Sequence, residues 1–458
     1  MKIIAYIFYN YLWSVLNIFL GYFYRHNRVK HSVGMENIPK DRPVLFCSNH
    51  PNAFMDALLL GATVNRRTWS LARSDAFSNK MIAKFLGFIG IIPIYRLLEG
   101  AENLSKNDEM IDRCTQVLSE NKPIMIYSEG LCIQERRLRS LKKGTARIAL
   151  TAEERNDFKL NLTIIPVGLN YSATPWKFRS RFHVRFGEPF AAKDYEEIYK
   201  TNKARAMNLF TRDLEKRMAQ QLIIIDDKAN DELVYQLEQM FVKKWSKEEY
   251  RNPNNQTETF RISKEITHLL KECEKVESSR VTALREKVAI YFSKIKALHT
   301  RDWIVEKNNL GELKSGGIVF NYFIFLLFSP IWLFGLITNY VPYKVPYVIA
   351  KKVAKNIEWQ ASVNATIAAF LWQFYWLAQS LVVALVFRNW YLLGAFMLLV
   401  PITGMLAQEL YVLVKKANGA RKFLLMKNSS EVGEVQKMRN EIVEEVELLK
   451  AKFPLGAD

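Results

Sequence analysis

His50 and Asp56 form the pair in this chain best placed to move a proton. His50 closes the stretch VLFCSNH, and Asp56 stands six positions on, inside the apolar run NAFMDALLL. A histidine leaving a strand, with an aspartate at the head of the next helix, can serve as base and orienting partner. The carboxylate accepts the proton of one ring nitrogen, fixes the tautomer and leaves the other nitrogen basic. Pro51 fixes its own φ and biases His50 away from helix, which sets a turn between the two residues. The same residues also suit a structural loop, with His50 a satisfied core histidine and Asp56 a helix cap. In GIIPIYR, Gly90 to Arg96, an apolar run ends in a guanidinium whose fork suits phosphate, although a surface ion pair serves an arginine as well. In the stretch 126–150, Ser128-Glu129-Gly130 follows a short apolar run, and Gly130 lets the backbone approach a ligand. Six basic residues come next (Arg136, Arg137, Arg139, Lys142, Lys143, Arg147), fitting an anion site or a solvated basic face. Gly144-Thr145 can open a helix whose N-terminus favours an anion. IIPVGLNYS, 164–172, reads as a strand ending in a turn and by itself carries no chemistry.

These residues need a scaffold of alternating elements. Between Lys30 and Leu222, β-rich runs (Val44–Ser48, Thr68–Ala72, Ile91–Tyr95, Ile124–Tyr127, Thr163–Val167, Phe182–Phe186) alternate with amphipathic ones such as Asp108–Ser119 and Thr145–Glu153. That alternation predicts an α/β layer fold around one central sheet, with His50, Arg96 and Glu129 each just beyond a strand. From Ile223 to Leu310 the chain is highly charged and loses strand signals. There Ile266, Leu269, Leu270, Cys273 and Val276, then Leu284, Val288, Tyr291, Ile295 and Leu298, recur at helical steps, as do Val435, Met438, Ile442, Val446 and Leu449 in the tail. RNPNNQ at 251–256 reads as a loop. The four cysteines form no CxxC pair and sit beside no histidine, which fits reduced thiols rather than a disulfide framework or zinc site.

Taken together and in order, the four stretches resemble the glycerolipid acyltransferase family. Its first motif, Asn-His followed by an aspartate, is matched by Asn49, His50 and Asp56. Its Gly-x-x-Pro-x-x-Arg motif is matched by Gly90, Pro93 and Arg96, and its aromatic-Pro-Glu-Gly motif by Tyr127, Ser128, Glu129 and Gly130. Its fourth, a short apolar run with a proline, falls at Pro166. HPNAFMDA, Ser-Glu-Gly, LKKGTARIAL and the long C-terminal extension look most like the fungal-type branch, which acylates glycerol-3-phosphate or dihydroxyacetone phosphate. Two departures stand out. Five residues rather than four separate histidine from aspartate, and Ser128 replaces proline.

The resemblance implies a mixed central sheet flanked by helices, followed by a helical region and C-terminal transmembrane helices. It also implies that His50, held by Asp56, removes a proton from an acceptor hydroxyl, whose oxygen then attacks an acyl thioester directly. No GxSxG elbow is present. Arg96 would hold the acceptor phosphate, helped by Arg73 or a basic residue beyond Gly130. Glu129 would orient the acceptor or its loop, with Asn52, Gly90, Pro93 and Gly130 completing the substrate-binding set. Acyl-CoA or acyl-carrier protein is the expected donor, with no metal and no other cofactor. Placement of hydroxyl, base and thioester is worth ~7–11 kcal/mol of barrier.

Composition adds a membrane. The chain has 458 residues, 49% of them hydrophobic and 13% aromatic, and a formal charge of +19, which excludes a disordered chain and calls for an anionic partner. The stretch 318–341, Ala361 to Phe387 and Trp390 to Val414 are each long and apolar enough to cross ~30 Å of hydrocarbon. Aromatics crowd their ends, where interfacial belts form. Lys344, Lys351, Lys352 and Lys355, and Lys415 to Lys427, put both flanking segments in the cytoplasm, with the second and third runs as a hairpin. A cytoplasmic catalytic region then requires the first run to enter and leave on one side, so a re-entrant or kinked hairpin is expected at Ser329-Pro330. Ile3 to Tyr24 reads as a spanning helix or one lying in the interface, with interfacial anchoring or shallow insertion the preferred reading. The expected division is 1–30, 31–222, 223–315, 316–415 and 416–458. The expected partners are membrane lipids, a phosphorylated glycerol-type acceptor and an acyl thioester. A non-catalytic lipid-binding or tethering protein is the alternative; nucleic acid is not expected, since charge alone suggests it and no such motif is present.

Overall fold

The computed structural model describes residues 10, 11, 13–15, 17, 32–64, 66–95, 104–171, 182–249, 252 and 255–455. Val44–Ser48 (β2) is apolar and wholly buried, as a strand covered on both faces must be. It pairs in parallel with Ile124–Tyr127 (β5) on one side and Thr163–Tyr171 (β6) on the other, bringing Ser48 opposite Tyr127 and Val167. Beyond β5 come Trp69–Arg73 (β3) and Ile91–Ile94 (β4), both parallel. Beyond β6 comes Phe182–Phe186 (β7), antiparallel, followed by Ser32–Val33 (β1), parallel to β7; Phe190–Ala191 (β8) is antiparallel to β6. Among the described residues the sheet is thus mixed and eight-stranded, in the order β1-β7-β6-β2-β5-β3-β4 with β8 also on β6. Because β2 to β6 all run one way, their C-terminal ends share one edge, the usual place for a ligand on such a sheet.

The six expected strands all form. β6 runs four residues past its expected end at Val167, and Gly168 is what permits this: a Cβ there would lie 2.0 Å from the Gln221 carbonyl oxygen. Ala53–Thr63 (α1), Lys80–Phe88 (α2), Leu104–Ser119 (α3), Gly144–Glu154 (α4), Glu196–Thr201 (α5) and Lys203–Gln220 (α6) accompany the strands. Leu45, Cys47, Ile124, Ile126 and Ile164 of the sheet pack with Ile111, Cys114, Ile148, Ala149, Phe210 and Leu214 of the helices.

The charged region folds into Asp231–Glu248 (α7), Gln256–Val276 (α8), Ser278–Ala297 (α9) and Asp302–Asn309 (α10). Its predicted apolar stripes are buried, from Ile266 to Cys273 and from Leu284 to Ile295, whereas Val276 is exposed at the end of α8. The same core takes in Val435, Ile442, Val446 and Leu449 of the tail helix Ser430–Lys452 (α14). Residues 223–315 and 416–458 therefore share one core.

Ser315–Val353 (α11), Ile357–Phe387 (α12) and Trp390–Leu425 (α13) are, among the described residues, the helices long and apolar enough to cross a membrane. The expected re-entrant turn at Ser329-Pro330 is absent: α11 continues through Pro330, Pro342 and Pro346. Side chains replace the donors that two of those prolines lack. Pro330 leaves the Leu326 carbonyl without its helical donor, and Ser329 Oγ donates to it at 2.8 Å. Pro342 does the same to Thr338, whose carbonyl accepts from Gln379 Nε2 at 3.1 Å.

The chain divides into two compact units. One is Met1–Leu222 with Ala350–Ala365; the other is Ile223–Ile349 with Thr366–Asp458. The expected anchor at Ile3–Tyr24 lies largely outside the described residues; those described there are helical.

Candidate active site

The chain leaves β2 under tight control. Asn49 behaves as if the strand continued: its side-chain oxygen accepts from the Leu169 amide at 2.8 Å and its amide donates to the Leu169 carbonyl at 3.1 Å. That fixes where His50 begins. The His50 amide donates to Glu129 Oε1 at 3.3 Å, and its carbonyl accepts from Ile133 at 3.1 Å. The imidazole stacks on Tyr127, with centroids 3.9 Å apart and planes 13° from parallel.

His50 Nδ1 lies 2.9 Å from Asp56 Oδ2, with the His50 side chain 19% exposed and Asp56 wholly buried. Asp56 Oδ2 also accepts from the Asn52 amide at 2.7 Å, and Oδ1 from the Tyr171 hydroxyl at 2.6 Å. Three donors thus satisfy the buried carboxylate. With Nδ1 donating, Nε2 carries the lone pair. The extra residue between histidine and aspartate is taken up where α1 begins: Ala53 sits at φ +43, in the left-handed region, and its amide donates to Cys132 Sγ at 3.0 Å.

Glu129 is a brace and does not touch the imidazole ring through any hydrogen bond. Its second oxygen accepts from the Arg139 amide at 3.2 Å, so one carboxylate ties the His50 turn to the loop beyond Gly130. Burial pushes the Glu129 carboxyl above its usual range, against the pull of those two amides. Ser128, where the resembled motif has proline, is buried and accepts from the Thr145 hydroxyl at 3.0 Å, tying the turn to α4. Gly130 lies at φ +67, its amide on the Tyr127 carbonyl and Lys142 beside it.

The remaining expected site residues are scattered. Arg73 ends β3 with its guanidinium 2.5 Å from Asp75, about half exposed. Pro93 lies within β4, opposite Ala72. Gly90 is placed differently from the expectation of substrate binding. It precedes β4 at the opposite end of the strand, at φ +89 against the Trp69 ring, where it serves the turn out of α2. Arg96 lies outside the described residues. Much of the basic run is paired with acids, Arg137 and Arg139 with Glu135 and Arg147 with Asp108.

Two residues here escaped the sequence reading. Tyr171 had only its place near the end of the fourth stretch to mark it, and Cys132 had no signal. Burial, reinforced by Asp56, pushes the Cys132 thiol up to about 12, so it stays protonated near neutral pH and makes a poor nucleophile. Asn52 Oδ1 and the Tyr127 hydroxyl are buried with no hydrogen-bond partner among the described residues.

Residues 30–170 match the family profile described as Acyltransferase. Over 159 residues the chain is 24% identical to the chloroplastic 1-acyl-sn-glycerol-3-phosphate acyltransferase LPAT1 of Arabidopsis thaliana, which covers 34% of this chain. The chain spans 39% of the length of that relative. Among solved structures it is similar to the 1-acyl-sn-glycerophosphate (LPA) acyltransferase PlsC of Thermotoga maritima, with a TM-score of 0.31 and 16% identity over 45% of this chain and 80% of that one. His50, Asp56 and Glu129 all fall inside the stretch that matches the Acyltransferase profile.

Proposed function

We propose that this protein transfers a fatty acyl group from a thioester to a hydroxyl of a phosphorylated glycerol acceptor at a membrane. The observation that carries this reading is the half-sheltered imidazole with Nδ1 on a buried, fully satisfied carboxylate. Such a ring offers Nε2 as base. Nε2 takes the acceptor's hydroxyl proton while the oxygen bonds to the thioester carbonyl carbon. The carbon–sulfur bond then breaks, and the departing thiolate takes the proton back from Nε2. The protonated Cys132 supports direct transfer without an acyl-enzyme. Arg96 and Arg73 are the proposed phosphate holders, Arg73 by exchanging Asp75 for the anion.

The acceptor class comprises 1-acylglycerol-3-phosphate, glycerol-3-phosphate and dihydroxyacetone phosphate; the name of the Arabidopsis relative supports the first. The donor is acyl-CoA or acyl-carrier protein. The apolar helices α11 to α13 hold the protein in the bilayer. Purified protein given each acceptor with each thioester should release free thiol and a product heavier by one acyl group. His50→Ala should lower that rate about 10²–10⁴-fold while the melting temperature holds. Full activity in His50→Ala would overturn the reading.

A further inference from the structure

Helix α1 opens without help from the side chain of its own cap residue, although the Asn52 carbonyl accepts from Met55 N–H at 3.2 Å. Asn52 occupies the N-cap position, where an asparagine ordinarily accepts from the second or third amide of its helix. Here its side chain makes no such bond. Its Nδ2 donates instead to the Tyr171 hydroxyl at 3.4 Å, and its Oδ1 has no partner among the described residues. The third amide, Met55 N–H, donates to Ser362 Oγ at 3.2 Å, and Ser362 Oγ donates in turn to the Asn52 carbonyl at 3.1 Å. Ser362 is wholly buried in the early turns of α12, inside the same compact unit as α1. Ala361 and Ala365, both 1% exposed, flank it with side chains small enough for α12 to come close.

We propose that Ser362 is a positioning residue of the acyl transfer: it caps α1 in place of the Asn52 side chain and so holds the His50–Asn52 turn in register with Asp56. This rests on the acyl-transfer reading and deepens it. The turn has a competing arrangement, in which Asn52 swings back onto Met55 N–H as an ordinary cap. That swing leaves Tyr171 and draws the Asn52 amide from Asp56 Oδ2, loosening the two contacts that aim the carboxylate at His50. Ser362 forestalls it by already occupying both Met55 N–H and the Asn52 carbonyl. Ser362 itself touches no reacting atom, so its loss should act on turnover more than on substrate affinity.

The test compares the full-length wild type with Ser362→Ala and Ser362→Cys, reading thiol release and melting temperature. Cysteine keeps the shape of serine but is a weak hydrogen-bonding group. Both variants should lower kcat about ten- to a hundredfold, with KM within about twofold and melting near the wild type. Wild-type kcat in Ser362→Cys, or a loss that falls on KM rather than kcat, would overturn the proposal, since packing or binding would then be what Ser362 supplies. If Ser362→Ala does not fold, Ser362→Cys carries the comparison alone. A wild type that releases no thiol overturns the acyl-transfer reading itself, whereas an active wild type matched by Ser362→Cys overturns only the role of Ser362.

Discussion

The residues of the candidate site are held by backbone amides as much as by one another. Asp56 takes an amide and a hydroxyl besides the imidazole, and Glu129 takes the amides of His50 and Arg139. Glu129 is consequently expected to announce itself in stability more than in chemistry. Burial raises its folded-state value above the unfolded one, so the stability associated with its protonated form is fully present at low pH. It is lost as pH rises through the folded-state value. Thermal melting of wild type and Glu129→Gln from pH 5 to pH 8 should show the wild type losing ground to the variant as pH rises. The amide of glutamine also faces one of the two N–H donors, but that penalty is independent of pH and leaves the slope untouched. A flat difference across the range would mean that the carboxyl is not under strain from burial.

Helices α11 and α13 touch backbone to backbone. A Cβ on Gly335 would lie 2.2 Å from the Thr403 carbonyl oxygen, and one on Gly404 would lie 2.7 Å from Asn339 Cγ. Asn339 cannot easily move aside, because its amide donates to the Gly335 and Val400 carbonyls at 3.0 Å each. Small residues that let helix backbones meet, with a side-chain amide bridging them, suit an apolar solvent in which hydrophobic burial contributes little. Gly335→Ala should therefore cost roughly 1–3 kcal/mol, read as a lower melting temperature in detergent. Gly394→Ala, where nothing lies within 4 Å of the added carbon, is the matched control and should leave melting unchanged or slightly raised. Equal effects of the two would show that the close approach at Gly335 carries no energy.

At the scale of the chain, the tail is stitched to helices more than 100 residues before it. Arg439 of α14 is 5% exposed, with Nε 2.8 Å from Asp302 Oδ1, an oxygen that also accepts from the Tyr291 hydroxyl at 2.7 Å. Glu447 accepts from Trp245 Nε1 at 2.9 Å, and Lys450 lies 4.0 Å from the centre of the Trp245 ring. Removing one side of a buried ion pair strands the other, so Arg439→Ala should cost about 3–5 kcal/mol. Replacing Arg439 by Met together with Asp302 by Leu should cost less than Arg439→Ala alone, because the deeply buried Asp302 charge is gone and only Glu306, at the margin of the site, loses its partner. Circular dichroism melts of the full chain decide between these outcomes. A single variant as stable as the wild type would show that the pair contributes nothing.

Periodicity and motif order by themselves determined the strands, the three long apolar helices and the pairing of His50 with Asp56. Burial patterns in strands and helices repeat at fixed steps, and the chemistry of an Asn-His…Asp stretch is local. Gly90 was grouped with the substrate-binding residues through the resembled motif, whereas the structure sets it against the Trp69 ring just before β4. The re-entrant turn was misjudged because a proline breaks a helix only when no other donor reaches the freed carbonyl, and Ser329 and Gln379 reach two of them. What only the tertiary structure decided is long-range: Tyr171 on Asp56, Ser362 on α1 and Arg439 on Asp302. Each of those bonds joins residues far apart in the chain, and only the fold that brings them within 3.1 Å or less gives them a common site.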